Sequence, residues 1–433
     1  YDLGVRLACF ISVEQELTIE TLKNSAADIL SVEKGSWTGE TTKEKAKNLK
    51  KFACVDIGTT TVTISVCDEN FAHIKTVNFL NPQRSFGADV ISRILAADEG
   101  HLIDLQRQIC DSVYSVLADF DVSKVVVAAN NVMLHLLLGV SPHSIGVSPY
   151  SPTFKEMKRL TFGEVFGQGD GEIVLLPSVS GYVGGDIVAG MIATEMEKKN
   201  NSLFVDLGTN GEIVLNANGK LFCASTAGPA FEGGNIACGS YARKKAIAKV
   251  EMKDGKIIID DKDADAICGS GLIDLTAVLV ENYIIDEMGG FDAESELVKD
   301  VNGEKRVYIN DAVYFSQKDA RSVQLAKAAI SCGIKTLLAF ANISESELSQ
   351  MFVAGGFSKN LNFNSCERIG LIPNGVANKC VAKGNTAIWG ALMCLKDEKL
   401  LDLAVKYSNE TTVLELGTDA NFFNNYTECL IFE

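Results

Sequence analysis

The sequence predicts an α/β fold in which one strand–turn–strand unit occurs twice. Segments typical of strands and of helices alternate along the chain, as in layered α/β proteins. An apolar strand, a Gly-Thr turn and a strand of alternating polarity follow one another in FACVDIGTTTVTISVCD at 52–68. The pattern returns as LFVDLGTNGEIVL at 203–215, followed by an NANG turn and a third strand. We interpret the two segments as an internal duplication.

The remaining elements are predicted from the positions of glycine, polar and charged residues that interrupt the apolar pattern. Residues 25–51 are polar, without periodicity, and end in the charged run KEKAKNLKK, which indicates a linker. Helical patterns occupy 89–97 and 102–118, and a buried strand is expected at 124–130. Near the other end, MFVAGGFSKN at 351–360 predicts a strand that stops at two glycines before a serine able to cap a helix.

Two predicted helices have one face with almost no side chain. In the segment at 181–196, glycine and alanine recur every four residues, and in the segment at 384–395 small residues recur every three or four. Such faces let two helix backbones approach closely where they cross. One helix precedes the second hairpin and the other follows the glycine pair, so we expect the two to cross each other.

Composition excludes several classes of function. The 433 residues include 40 Lys and Arg against 56 Asp and Glu, a formal charge of −16, which disfavours binding to nucleic acid or to an anionic membrane. No window reaches the length of uninterrupted apolar sequence that a membrane span needs. Asp2 and Arg6 stand where a signal peptide would be apolar. We therefore expect a soluble, cytoplasmic chain, and the start without Met suggests a fragment or a trimmed product.

The cysteines show no metal-binding spacing. Twelve are present, no two lie within five positions of each other, and most fall inside apolar runs. Buried, reduced thiols are the main interpretation. The alternative is one or two exposed redox-active thiols, with Cys9 as the first candidate.

The two hairpin turns carry the residues expected to bind a polyphosphate. Gly58 lets the backbone approach a phosphate, and Thr59, Thr60 and Thr61 offer amide and hydroxyl donors. The second turn supplies Gly208, Thr209, Asn210 and Gly211, followed by Glu212. Asp56 and Asp206, one at the end of each first strand, are the predicted Mg²⁺ ligands, since that ion prefers oxygen. Gly355 and Gly356, with Phe357 beside them, would allow close approach to a nucleoside.

Asp186 lies at the start of the first helix with a small face. It could simply cap that helix after a pair of glycines. If the helix lines the cleft, the same carboxylate could orient a water molecule that attacks a γ-phosphate. We predict Asp56, Asp186 and Asp206 as the catalytic residues.

The ordered set DIGTTT, GGDIVAG, DLGTNGE, VAGGF and GNTAIWGA resembles the phosphate, connect and adenosine motifs of the acetate and sugar kinase, chaperone and actin superfamily. More narrowly, four segments are similar to the ATP-dependent reductive activators of corrinoid proteins: NPQRSFGADVISRI at 81–94, ASTAGPAFEGGNI at 224–236, ICGSGLIDL at 267–275 and QKDARSVQLAKAAISCGI at 317–334. The resemblance implies a two-lobed, actin-like (ribonuclease H-like) ATPase. It would bind ATP and Mg²⁺ and help a partner's Co(II) corrinoid return to the Co(I) state needed for methyl transfer.

The resemblance also implies further site residues. Gly228, Pro229 and Glu232 would border the phosphates or ribose, and Gly269, Ser270 and Gly271 would form a tight loop at the cleft. Gln324 and Lys327 could contact the base or ribose, or they could lie on a solvated helix face. The segment GADVISRI is expected to be a structural or partner-facing helix rather than a catalytic one.

The family pattern is incomplete at the N-terminus. Such activators carry a plant-type two-iron ferredoxin, and VRLACFISVEQELTIE at 5–20 looks like its end, with Cys9 in the place of the last ligand. One Cys cannot hold a cluster that takes four, so we expect no complete iron–sulfur site here. Either the ferredoxin part has been cut from the chain, or it has been lost and a separate ferredoxin-type protein donates the electrons. Because the linker reaches Asp56 quickly, we also expect little room for a middle domain, which puts the family's dimer contacts in doubt; a homodimer is the assembly to test.

These inferences divide the chain into five regions. We expect a ferredoxin-like remnant at 1–20, a linker at 21–50, a first ATPase lobe at 51–200, a second lobe at 201–383, and a connect helix with a C-terminal segment at 384–433 that returns to the first lobe.

Three other functions stay open. A small-molecule kinase would use the same cleft, but beyond Asp186 the sequence shows no candidate base. A nucleotide-gated sensor or filament protein would bind ATP without turnover. Activators of 2-hydroxyacyl-CoA dehydratases hold a four-iron cluster between subunits, and here only Cys238 and Cys268 are loose analogues of its ligands.

Overall fold

In the computed structural model, the described residues are 37–208, 211–226, 231, 236–356 and 358–433. They form two lobes, each built on one large sheet. The strands of the first lobe are β1 (Gly39–Glu40), β2 (Lys51–Ile57), β3 (Thr61–Asp68), β4 (Ala72–Leu80), β5 (Val122–Ala129), β6 (Lys158–Thr161) and β7 (Glu172–Leu175). Its helices are α1 (Val90–Ala96), α2 (Leu102–Asp119), α3 (Asn131–Leu137), α4 (His143–Gly146), α5 (Phe162–Phe166) and α6 (Gly185–Ala193).

The first sheet has the strand order β1-β4-β3-β2-β5-β7-β6. The predicted hairpin is confirmed as β2 and β3, which pair antiparallel with Ile57 opposite Val62. Strand β5 lies parallel to β2 and is almost continuously apolar, because both of its faces are buried. The predicted helices at 89–97 and 102–118 are confirmed as α1 and α2.

The second lobe begins with β8 (Ser202–Leu207), β9 (Gly211–Ala217) and β10 (Lys220–Thr226), which confirm the repeated hairpin and its third strand. The other strands are β11 (Ala246–Ile247), β12 (Val250–Lys253), β13 (Lys256–Ile259), β14 (Ala266–Ile267), β15 (Val298–Val301), β16 (Glu304–Tyr308), β17 (Tyr314–Ser316), β18 (Gln350–Ala354), β19 (Cys380–Gly384) and β20 (Thr412–Val413). The helices are α7 (Gly269–Glu281), α8 (Gln317–Ala341), α9 (Phe363–Arg368), α10 (Thr386–Lys396), α11 (Lys399–Glu410) and α12 (Ala420–Glu428). The large sheet has the order β19-β18-β8-β9-β10-β20.

Helix α8 is the longest helix in the described part of the chain. The stretch Gln317–Phe340 has the length and composition of a helix that could cross a membrane. However, 78% of its apolar 18-residue window is buried within the protein. A capping box at Ser316 and Asp319 fixes its start. The helix packs on β9 and β10, which is the usual place of a core helix.

The two small-faced helices cross, as predicted. Helices α6 and α10 pack closely on each other, and a Cβ atom at Gly390 would lie 2.0 Å from the carbonyl oxygen of Ala189. The backbones can approach this far only because Gly390 has no side chain. Apolar residues of both sheets, among them Val126 and Phe204, share one buried cluster with these helices. The crossing therefore joins the lobes.

The C-terminal 50 residues are divided between the lobes. Helix α10 packs on β2 and β5 of the first lobe and on α6. Strand β20 instead pairs with β10, and α12 packs on α8, so the last part of the chain lies on the second lobe.

Candidate functional site

A hydrogen bond between distant parts of the chain joins the end of β2 to the start of α10, where the sequence predicts the nucleotide site. Asp56 stands near the end of β2, and its Oδ2 accepts a hydrogen bond from Asn385 Nδ2 at 2.7 Å. The Oδ1 atom of Asn385 accepts from the backbone N–H of Ile388 at 2.9 Å and so caps α10. One side chain therefore fixes the helix start relative to the strand end.

Asp186 lies close enough to Asp56 for the two charges to interact. The pKa of Asp56 is raised to about 7, mainly by burial and to a smaller extent by the neighbouring Asp186 charge, while the Asn385 hydrogen bond opposes both effects. Burial also raises the pKa of Asp186 to about 6, against hydrogen bonds that include one from the backbone N–H of Ile187. Two carboxyl groups with raised pKa values in one cleft form a site that a cation would stabilise.

The predicted cap role of Asp186 is wrong. The N-cap of α6 is Gly184, and Asp186 lies one position further into the helix than its first residue. A Cβ atom at Gly184 would lie 2.6 Å from Asp186 Oδ1 and 2.4 Å from Asn130 Cα. The missing side chain thus lets the carboxylate approach the strand end that precedes α3.

Three polar side chains hold the turn at 58–61, which the sequence predicts to bind phosphate. The N–H of Gly58 donates to the carbonyl of Thr61 at 2.9 Å and closes the turn. Asn81 Nδ2 donates to the Gly58 carbonyl at 2.8 Å, and Arg93 Nη2 donates to the Thr59 carbonyl at 2.5 Å. Asn130 Nδ2 donates to Thr59 Oγ1 at 3.1 Å. With these carbonyl dipoles engaged inside the lobe, the opposite side of the turn suits an anion.

Arg93 confirms the structural role expected for the segment GADVISRI. Its side chain is fully buried on α1, and burial lowers the pKa of its guanidinium to about 10. It also donates from Nε to the carbonyl of Gly87 at 3.1 Å. The buried charge therefore connects α1 to the phosphate turn.

The second turn and the glycine pair meet at neighbouring strand ends. Asp206 pairs with Glu212 across the β8–β9 hairpin and with Ala354 on β18. Gly355 follows with φ +106°, and a Cβ atom there would lie 2.1 Å from the carbonyl oxygen of Leu207. Gly355 is thus needed both for its backbone conformation and for this close approach. Gly208 directly follows β8 and Gly211 begins β9.

Gly269, Ser270 and Gly271 do not form the tight loop that was predicted. They make the first turn of α7, where all three are buried. A Cβ atom at Gly271 would lie 2.3 Å from the carbonyl oxygen of Ile247, and Ser270 Oγ donates to the carbonyl of Ala248 at 3.0 Å. Gly271 is required for this close approach of α7 to β11, and a nucleotide contact stays a prediction.

Gln324 and Lys327 do not lie on a solvated face. They are 3% and 1% exposed, and their polar ends bind the C-terminal segment. Gln324 Nε2 donates to the Leu430 carbonyl at 3.0 Å, and Lys327 Nζ donates to the Ile431 carbonyl. These contacts anchor the chain end and do not support the predicted contact to a base or ribose.

Some predicted residues lie outside the described part of the structure. They are Cys9 with the ferredoxin-like remnant, Thr209, Asn210, Gly228, Pro229, Glu232 and Phe357. Their assignments stay predictions.

Sequence reasoning missed the residues that support the site. Asn81, Arg93, Asn130 and Asn385 carry the hydrogen bonds described above, and none of them was assigned to the site. Asn385 and Asn130 could have been found, because each directly precedes a helix and asparagine is a preferred cap. Arg93 gave no such signal, since an arginine on a helix is usually solvated.

Comparison with known proteins places this geometry in a family. Residues 200–433 match the C-terminal domain of RACo, which is described as the ASKHA domain, and residues 53–199 match the RACo middle region. The chain belongs to the RACo family. A solved structure named a reductive activator for corrinoid, iron-sulfur protein superimposes with a TM-score of 0.80 at 30% identity, covering 89% of this chain and 66% of that one. The predicted two-lobed, actin-like fold and the resemblance to reductive activators are confirmed.

Two curated relatives are similar over long stretches. The corrinoid activation enzyme RamQ of Eubacterium limosum is 32% identical over 422 residues, which cover 88% of this chain and 70% of RamQ. A protein of Methanosarcina barkeri, named [Co(II) methylated amine-specific corrinoid protein] reductase, is 25% identical over 295 residues, covering 61% of this chain and 52% of that protein. The chain thus spans only part of each RACo-type relative.

The RACo match corrects one expectation. We expected little room for a middle domain, but the RACo middle region corresponds to 53–199. It begins directly after the predicted linker and coincides with the first sheet and its helices. The expectation was wrong because it placed the middle region before Asp56 instead of around it.

Proposed function

We propose that the chain binds ATP with Mg²⁺ between its lobes and uses the nucleotide to promote reduction of a partner's Co(II) corrinoid to Co(I). The observation that carries this proposal is the cluster of Asp56, Asp186 and Asn385 at the crossing of α6 and α10. Its relatives named corrinoid activation enzyme and corrinoid protein reductase supply the class of substrate.

The residues of the cleft fit a magnesium nucleotide. Asp56 and Asp206 would provide two carboxylate ligands, and phosphate oxygens and water would complete the shell, as is usual for this ion. The described residues contain no cluster of three or more His, Cys, Asp or Glu that could hold a metal by itself. A metal bound in the cleft would supply a charge that offsets the phosphates. Asp56 and Asp186, with their raised pKa values, would be stabilised as carboxylates beside that charge.

The predicted residues other than Gln324 and Lys327 have roles in this proposal. The turns at 58–61 and 208–211 bind the phosphates through backbone and hydroxyl donors, with Glu212 beside the second turn. Gly355, Gly356 and Phe357 approach the nucleoside, and Gly228 and Glu232 border the phosphates or ribose. Gly269 and Gly271, at the start of α7, are also assigned to the nucleotide. Asp186 orients a water molecule for attack on the terminal phosphate, so the chain acts as an ATPase.

The proposed nucleotide site is connected to other elements of both lobes. Arg93 and Asn81 connect the first phosphate turn to α1 and to the segment before it, and α10 connects Asp56 to the second lobe. Closure of the lobes on ATP would favour the partner state in which Co(II) is easier to reduce. In the reaction one electron passes from a reduced ferredoxin-type donor to Co(II), giving Co(I) and the oxidised donor, while ATP and water give ADP and phosphate.

Each region of the chain is assigned a part in this proposal. Residues 51–200 and 201–383 form the two lobes, and the segment 384–433 joins them through α10. Residues 1–20 would be the end of a ferredoxin-like domain and 21–50 its linker. We propose a cytoplasmic protein, and a homodimer is the assembly to test.

The first experiment is a calorimetric titration of the chain with Mg-ATP. The Asp206→Ala variant should lose binding, whereas Asp311→Ala, which changes an exposed carboxylate in the turn after β16, should bind like the original chain. Absence of binding to the unaltered chain would contradict the proposal. Addition of Co(II) corrinoid protein and a reduced ferredoxin should then give Co(I) absorbance that depends on ATP, and phosphate transfer to a metabolite instead would identify a kinase.

A further inference from the structure

Two cysteines meet where the C-terminal helix lies on the second lobe. Cys332 is in the middle of α8, and Cys429 directly follows α12. They are 0% and 3% exposed and form one small buried cluster with Ala328. Ninety-seven positions separate them in sequence (429 − 332), so tertiary structure alone brings the thiols together.

The two cysteines are neighbours in this buried cluster. They pack with Ala328, each has the largest effect on the pKa of the other, and Cys332 Sγ donates to the carbonyl of Phe422 on α12 at 3.3 Å. Two cysteines must lie this near each other before a disulfide can close between them.

The neighbouring groups shift the pKa values of the two thiols in opposite directions. The neighbouring Cys332 thiol, the charges of Lys335 and Lys327 and the nearby Ser331 hydroxyl lower the pKa of Cys429 to about 6, against the effect of burial. The Cys429 contact and burial raise the pKa of Cys332 far above its ordinary value. A thiolate beside a protonated thiol is the arrangement of a nucleophilic and a resolving cysteine.

The segment that carries Cys429 is held on the second lobe by the packing of α12 on α8 and by hydrogen bonds near its end. Gln324 and Lys327 bind the carbonyls of Leu430 and Ile431, and the N–H of Phe432 donates to the carbonyl of Glu287 at 2.9 Å. A nine-residue helix near a chain end opens more easily than the core. Such opening would admit a small oxidant to thiols that are otherwise enclosed.

We propose that Cys332 and Cys429 form a redox-active dithiol site that reacts with small-molecule disulfides and closes into a disulfide linking the C-terminal segment to α8. The Cys429 thiolate attacks one sulfur of the small disulfide, giving a mixed disulfide and releasing one small thiolate. Cys332 then attacks Cys429 Sγ, its proton passes to the second small thiol, and that thiol leaves. Two protein thiols are oxidised and one small disulfide is reduced to two thiols.

The test uses the full chain and oxidised glutathione as the probe. After mild treatment under native conditions, the intact mass should fall by two hydrogens, and peptide mapping should identify one cross-link between the peptides of Cys332 and Cys429. The closed form should release its C-terminal residues to carboxypeptidase at least about tenfold more slowly, because the tail can no longer open. An unchanged mass, or a cross-link between other cysteines, would overturn the proposal.

Single variants separate the two roles. Cys332→Ser should stop at a glutathione adduct on Cys429, whereas Cys429→Ser should react at least about tenfold more slowly because the activated thiolate is gone. Cys366→Ser, which changes a thiol buried on α9, should form the cross-link as the original chain does. Equal reactivity of the Cys332→Ser and Cys429→Ser variants, both shown to be folded by circular dichroism, would disprove the assigned roles. None of these readouts depends on nucleotide or corrinoid.

Discussion

Replacing Asp56 by asparagine is expected to make the protein more stable while removing its Mg-nucleotide binding. The carboxyl group is held in a cleft where burial raises its pKa from 3.8 to about 7. A shift of this size corresponds to at most about 4 kcal/mol, and relaxation of the surroundings reduces the expected gain to about 2–4 kcal/mol. Asparagine keeps an oxygen that can accept the Asn385 hydrogen bond, so the change removes charge and little else.

The contribution of Asp56 to the free energy of unfolding should decrease as the pH rises. Between the unfolded value near 3.8 and the folded value near 7, the folded state binds a proton that the unfolded state has released. The stability contributed by Asp56 is therefore fully present below about pH 4 and is lost as pH rises through about 7. The Asp56→Asn variant lacks this dependence. Its advantage should be largest near pH 8 and should shrink steadily toward about pH 4.

Urea denaturation in the presence of a chelator, at several pH values, measures the effect. The matched control is Asp311→Asn, which changes an exposed carboxylate and should leave stability within about 0.5 kcal/mol. A stability difference that does not change with pH, or an Asp56→Asn variant that is less stable near pH 8, would refute the reasoning. Calorimetry with Mg-ATP should show no binding to the same variant, as expected if charge at Asp56 is retained for function.

Two further predictions concern the crossing of α6 and α10 and its cap. Gly390→Ala would place a Cβ atom 2.0 Å from the carbonyl oxygen of Ala189. This variant should lower the free energy of unfolding by about 1–3 kcal/mol or more. In the same urea experiment Gly163→Ala should be close to neutral, because the nearest atom to its new Cβ is at 3.8 Å. Asn385→Ala removes a helix cap worth about 1 kcal/mol and a hydrogen bond to a carboxylate worth about 1.5–3 kcal/mol. It should therefore lower the free energy of unfolding clearly more than Asn362→Ala, which removes only the cap of α9. Equal losses in the two variants would show that the carboxylate contact does not contribute to stability.

Local patterns were sufficient for the repeated hairpins. Alternating polarity, a glycine turn and β-branched residues depend on the next few residues along the chain, and they predicted β2, β3, β8 and β9 within one or two positions. The small-faced helices and the abrupt end of β18 were predicted for the same reason. The motifs are long and occur in a fixed order, so the amino-acid sequence alone indicates the family.

The same local reasoning failed for residues whose environment is made by distant segments. Gln324 and Lys327 have the spacing of a surface pair, yet the C-terminal residues cover them. The resemblance implied a tight loop at Gly269, Ser270 and Gly271, but these residues begin α7, and Gly271 permits a close approach to the carbonyl oxygen of Ile247.

The sequence by itself determined the fold class, the two repeated hairpins and the carboxylates at the strand ends, because each is encoded in a short run of residues. Only the tertiary structure decided that Asn385 binds Asp56 across 329 positions, that Arg93 donates to the carbonyl of Thr59 in the first turn, and that two distant cysteines share a buried cluster. These contacts depend on how the lobes and helices pack, and packing brings together residues between which the sequence shows no periodic relation.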